Sequence, residues 1–222
     1  MFTASYALQK LLSENAAVDL NNYFAGYGPS IPSQNLNISG TANLWWGFKL
    51  SLNSSMTSAR PMMPTIPGNI DNNGSGNTAP PLSEFDPNLN YNCFNSGCGK
   101  ADLVAAVAYF NSNYAGKKAL NGATMPTLVL PSNYSLGAPI ITQDVRLTKE
   151  FVYKEKYRLT VLAEAFNLFN ISNQVASNFL LDSQAANPAA QTFAFGQLTN
   201  RVNQVFGSGG PRAFQFGARS SF

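Results

Sequence analysis

The chain closes on RAFQFGARSSF, Arg212 to Phe222. Phe214, Phe216, Ala218, Ser220 and Phe222 share one parity; Gln215, Gly217, Arg219 and Ser221 share the other. Successive side chains of a β-strand point to opposite faces, so this alternation reads as a strand with one apolar side. Its length suits the roughly 9–11 residues that a tilted strand needs to cross a bilayer. It stops on an aromatic residue, the type that settles at a membrane–water interface. Such an ending fits the closing strand of an outer-membrane β-barrel, with its apolar face toward lipid.

Composition agrees. Charged residues make up 11% of the 222 residues, under half the share of about 25% in soluble domains. Mean hydropathy is −0.10, and no run of about eighteen apolar residues offers a membrane-spanning helix. Polarity comes instead from Asn, Ser, Thr, Gln and Gly, as expected of strands lying between lipid and an aqueous lumen. A net charge of +3, dispersed along the chain, gives no nucleic-acid footprint. There is no histidine, which removes Ser-His-Asp hydrolysis, histidine general-base catalysis and most zinc or iron sites. No catalytic residue, metal site or cofactor is expected, and the chain is read as not an enzyme.

Five further segments alternate with period two. Phe2, Ala4, Tyr6 and Leu8 lead the first, although Leu8, Leu11 and Leu12 also stand at helical spacing and leave its end open. Leu36, Ile38, Gly40, Ala42 and Leu44 define the second; Phe48, Leu50, Leu52, Ser54 and Met56 the third. Ile141, Val145, Leu147 and Phe151 mark the fourth, and Tyr157, Leu159, Val161, Ala163 and Ala165 the fifth. The connections alternate in length. Tight turns fall at Trp45–Gly47 and around Lys154 and Glu155, whereas Leu11 to Pro32, Arg60 to Pro139 and Asn170 to Pro211 are long. Short periplasmic turns and long extracellular loops are the outer-membrane arrangement. Trp45, Trp46, Phe48, Phe151, Tyr153, Tyr157 and Phe222 then gather at the periplasmic level as an aromatic girdle. The competing reading places these aromatics in a soluble β-sandwich core, against which a connection of some eighty residues argues.

Within the longest loop, Leu103, Val104, Val107 and Phe110 recur at helical offsets and predict a short helix that packs the loop down. The Pro- and Gly-rich stretch from Arg60 to Pro81 reads as a mobile surface loop, and Asp71 to Asn77 as an Asx-rich turn, not a calcium loop. Cys93 and Cys98, with four residues between them, suit a small disulfide in an oxidising compartment; a pair of free thiols is the alternative.

Gln143 to Asn170 (QDVRLTKEFVYKEKYRLTVLAEAFNLFN) together with GPRAFQFGARSSF resembles the last strands of TonB-dependent receptors, most of all those with an amino-terminal carboxypeptidase-regulatory-like domain. Glu164 and the run Phe166-Asn167-Leu168-Phe169-Asn170 occupy the place of the acidic residue and FNLFN-type sequence of that family. GFKLSLNSSMTSARP resembles the preceding hairpin, so the likeness covers about two-thirds of the chain. The resemblance implies a transporter that takes up a large, scarce solute such as a siderophore or oligosaccharide across the bacterial outer membrane. It also implies a barrel of about twenty-two strands around a plug domain that engages TonB. Phe214, Phe216 and Phe222 would carry the signal read by the barrel-insertion machinery.

No plug, TonB box or leader sequence is read in these residues; Met1 runs directly into FTASYALQ. The expectation is therefore all-β: residues 1–222 as the carboxyl-terminal portion of an antiparallel transmembrane β-barrel, about six strands and incomplete by itself. Its partners would be outer-membrane lipid, the insertion machinery, a small-molecule solute, and TonB through a plug elsewhere. Lys49, Asn53, Arg146, Glu150, Arg158 and Glu164 are the lumen-facing candidates. Across the fourth and fifth strands, residue numbers summing to 310 would set Arg146 against Glu164, and a sum of 308 would set Glu150 against Arg158. Two alternatives remain open at this stage: a stand-alone small barrel or adhesin with strands hidden in the loops, and a soluble carbohydrate-binding sandwich.

Overall fold

A computed structural model describes residues 1–14, 26–71, 79–175, 178–198, 200–203 and 209–222. Every segment with period-two alternation is a strand: β1 (Phe2–Leu8), β2 (Gln34–Asn43), β3 (Phe48–Thr57), β4 (Ile140–Tyr153), β5 (Tyr157–Phe166) and β6 (Ala213–Ser221). They form one antiparallel sheet in which spatial order follows chain order. The sheet is open, not a closed barrel: among the described residues β1 and β6 are each paired along one side alone. The helical spacing of Leu8, Leu11 and Leu12 does not shorten β1; Leu12–Glu14 is a separate short strand, paired with Tyr27–Pro29.

A sequential antiparallel meander puts alternate connections at opposite ends. Residues 44–47 and 154–156 turn at one end, beside Met1 and Phe222; residues 9–33, 58–139 and 167–212 leave from the other. Both tight turns use left-handed backbone. Trp46 and Gly47 have φ of 58° and 73°, and the Leu44 N–H closes the turn on the Phe48 carbonyl at 2.7 Å. In the second turn Lys154 and Glu155 sit at φ of 49° and 58° without a glycine, a conformation costing about 1–2 kcal/mol for each L-residue.

The buried core lies outside the sheet. Ile66, Leu82, Phe94, Leu103, Phe110, Leu128, Leu181 and Phe195 are its most deeply buried apolar members, and all come from the two longer connections. No residue of β1–β6 belongs to that cluster among the described residues. The helix expected there is α1 (Lys100–Asn113), begun with the Asp102 carboxylate accepting the Gly99 N–H at 2.7 Å. It buries Leu103, Ala106, Val107 and Phe110; Val104 instead remains 53% exposed. Asn111 clamps the strand residue Leu128, donating to its carbonyl and accepting from its N–H, both at 2.8 Å. The Arg60 to Pro81 stretch is not a mobile surface loop over its described part. Met62, Pro64, Ile66, Ile70 and Pro80 are buried, because prolines and glycines there shape a path that turns irregularly spaced apolar side chains against α1 and its neighbours. The ribbon at Tyr27–Pro29 docks on the same body so closely that a Cβ at Gly28 would overlap the Tyr91 carbonyl.

Candidate functional site

The sheet has two chemically distinct faces, and the register defines them. Ala4, Ile38, Ser54 and Gln143 align across four strands, and Gly40, Leu52, Val145, Ala165 and Phe214 across five. With Phe2, Tyr6, Leu8, Leu36, Leu50, Leu147, Leu159, Val161 and Phe216 they make one face largely apolar from edge to edge. No second layer of described protein covers it. Leu36, Ile38, Leu50, Leu52 and Val161 are only half-buried, within a single sheet, and Phe216 is 78% exposed. Ten residues at about 3.3 Å each extend about 33 Å, which at the tilt of barrel strands covers the apolar band of an outer membrane, about 25 Å tall.

The opposite face carries every charged residue of the sheet except Lys149. Lys49, Asn53, Arg146, Glu150, Arg158 and Glu164 all project there, joined by Asp144, Gln215 and Arg219, which sequence reasoning did not single out. The hairpin takes the register whose numbers sum to 310, with Arg146 directly opposite Glu164 and the two side chains in an ion pair. The pairing posed as its alternative forms as well, because Arg158 Nη1 reaches diagonally to Glu150 Oε1 at 2.9 Å. Partly exposed cross-strand pairs of this kind contribute about 0.2–1 kcal/mol each. Ser51, Asn53, Asp144, Arg146, Glu164 and Phe166 line a shallow depression of about 240 Å³ on this face.

Aromatics and lysines concentrate at the tight-turn end. Trp45 and Trp46 are exposed and meet edge to face at 6.3 Å. Lys149 Nζ lies 5.1 Å from the Phe48 ring centre and 5.6 Å from that of Phe151; Lys154 and Lys156 lie over Tyr153 and Tyr157 at 5.3 and 5.7 Å. Phe214, Phe216 and Phe222 are all exposed, the first two on the apolar face.

At the loop end, asparagines of the FNLFN run and its sequel act on the backbone. Asn167, fully buried at φ 46°, donates to the carbonyls of Ile171 and Gly210 (2.9 and 2.6 Å) and accepts the Ile171 N–H at 2.9 Å. Its own N–H reaches Asp144 Oδ1 at 2.9 Å. Asn173 bonds both backbone groups of Ile141 and the carbonyl of Gly209. Asn170 Oδ1 accepts from Arg201 and from the Arg212 N–H. These side chains splice the starts of β4 and β6 to the end of β5. The legible signal was a cluster of Asn after a strand, the residue type that tolerates left-handed backbone; its partners were not legible.

In the loop body, Cys93 and Cys98 form a disulfide with Cα atoms 5.2 Å apart, adjoining α1. Where this body meets the sheet, Pro32, Thr57, Arg60, Leu136, Ile140 and Phe179 line a cavity of about 540 Å³. Burial, reinforced by Glu14 and Glu84, pushes the Tyr91 hydroxyl above its ordinary range, and burial does the same to Tyr134. Asp71 is described, but the rest of the Asx-rich turn, from residue 72 on, lies outside the described residues. Among the described residues no cluster of three metal-ligating side chains occurs. Set against known protein families, curated proteins and solved structures, the chain matches none of them.

Proposed function

We propose that this chain is part of the wall of an outer-membrane β-barrel, of the TonB-dependent transporter type that the sequence resembles. One observation carries the reading. An antiparallel meander whose central strands run ten residues or more exposes one largely apolar face, while its charged side chains, Lys149 apart, collect on the other. In water such a face needs a second layer; in a barrel wall, hydrocarbon is that layer. The unpaired edges of β1 and β6 would be satisfied by further strands, since an open edge is not tolerated in lipid. The loop body would stand outside the membrane, and the polar face would line the path of a large, scarce solute. In this role the chain has no catalytic residues; energy would come through a plug engaged by TonB.

Neither competing class gains an observation. A stand-alone barrel needs extra strands, yet the described short strands in the loops pair with one another and not with the sheet. A sandwich needs a second sheet over Leu36, Leu50 and Phe216, and none is described there. The test is a set of single labels at Leu50, Leu52 and Ala163 against Asn53, Arg146 and Thr160, with the chain in bilayers. Quenchers carried on acyl chains should reach the first set and water-borne quenchers the second. Equal access of the water-borne quencher to both sets removes the proposal.

A further inference from the structure

Among the exposed features, one cluster couples apolar surface with unneutralised charge. Lys149 belongs to the apolar face: its register partners are Phe48 on β3 and Val161 on β5. A charge on a lipid-facing wall is costly near the bilayer centre and tolerable near the interface. The Lys149 stem obeys this by running toward the turn. Its ammonium sits over Phe48 and Phe151, and a Cβ built on Gly47 would lie 3.2 Å from Nζ. Lys154 and Lys156, in the next turn, stand over Tyr153 and Tyr157.

Among the described residues no carboxylate holds these ammonium groups. The two ion pairs among the described residues join Arg146 to Glu164 and Arg158 to Glu150, both on the polar face. Glu155 is the one acid between Lys154 and Lys156, and it is exposed. Three ammonium groups against one carboxylate leave two positive charges in excess, over the rings of Phe48, Phe151, Tyr153 and Tyr157 and at the same end of the sheet as Trp45 and Trp46. Aromatic rings of this kind prefer the headgroup level, where phosphates are the available anions.

We propose that Lys149, Lys154 and Lys156 bind headgroup phosphates of anionic phospholipid, of the phosphatidylglycerol or cardiolipin kind, in the leaflet that meets the tight-turn end. This rests on the barrel-wall reading and adds a lipid preference to it. Lys149 supplies its donors from the lipid side of the wall; Lys154 and Lys156 supply theirs from below. The stacked rings hold the stems, so less side-chain freedom is lost when a phosphate arrives.

Trp45 and Trp46 are the two tryptophans of the chain, so its intrinsic emission reports on this end. The experiment titrates the full chain with phosphatidylcholine vesicles and with mixed phosphatidylcholine–phosphatidylglycerol vesicles, following tryptophan emission. Mixed vesicles should bind more tightly, with an advantage that fades as salt is added. Lys149→Gln, Lys154→Gln and Lys156→Gln should each reduce that advantage about fivefold, and the triple variant about a hundredfold. The turn-only pair K154Q/K156Q should lose the corresponding part even if the triple variant folds poorly. Lys117→Gln with Lys118→Gln, in the loop body, should change nothing; an equal loss there overturns the proposal. Equal binding to both vesicle types also overturns it and leaves the barrel wall standing. No emission change with either vesicle overturns both.

Discussion

Asn167 shows how much one side chain can hold. Its amide bonds three backbone groups, and it occupies left-handed backbone that most residues avoid. Asn167→Ala leaves the buried Gly210 carbonyl and the half-buried Ile171 N–H without the Asn167 amide, at about 1–3 kcal/mol for each unsatisfied group. We expect a loss of about 3 kcal/mol, read as a lower urea midpoint for the sheet signal in circular dichroism. Tyr91 supplies a pH dependence. Its folded pKa is raised above the ordinary tyrosine value of 10.0, first by burial and then by Glu14 and Glu84. A hydroxyl that ionises more readily unfolded contributes stability that is complete below the unfolded pKa and declines as pH rises through the folded one. The loop body should therefore hold to about pH 10 and weaken above it. Absorbance at alkaline pH should show Tyr91 ionising above the ordinary tyrosine range, and Tyr91→Phe should flatten the alkaline loss of stability.

At the scale of elements, the β4–β5 hairpin is defined by a turn and a register. Lys154 and Glu155 bend the chain without glycine, and Arg146 then falls opposite Glu164. Arg146→Glu would face two carboxylates across the strands and should cost about 1 kcal/mol. The exchange Arg146→Glu with Glu164→Arg should recover most of that loss, and a thermodynamic cycle over the four proteins measures it. Recovery would fail if the register slipped by one residue, because the two side chains would then point to opposite faces. α1 follows a different logic. Its outward Val104 shows that offsets alone do not say how wide the buried stripe is; Ala106 takes the inner position.

At the scale of the whole molecule, the cost of a deleted methylene group depends on whether packed protein or an open face surrounds it. Leu103 is fully buried in the loop body, whereas Leu50 is half-buried on the sheet's open face. Leu103→Ala should cost about 2–5 kcal/mol, the range for cavities in a packed core. Leu50→Ala in a bilayer should cost no more than about 2 kcal/mol, since acyl chains refill the space and only the transfer of three carbons is lost, with no cavity left behind. Hydrogen exchange at α1 amides and at β3 amides separates the two effects. A large loss at β3 from Leu50→Ala would mean that protein, not lipid, covers that face.

Local alternation along Leu36–Leu44, Phe48–Met56 and Phe214–Phe222 determined the strands, their faces and, through connection lengths, which end holds the turns. These properties follow from period two and chain direction, and need no knowledge of distant partners. Only the tertiary structure decided the packing of 58–139 against 167–212, the burial of Met62 and Ile66, and the splice made by Asn167 and Asn173. Those depend on contacts between residues far apart in sequence, where no period announces which apolar side chain or which backbone carbonyl will be met.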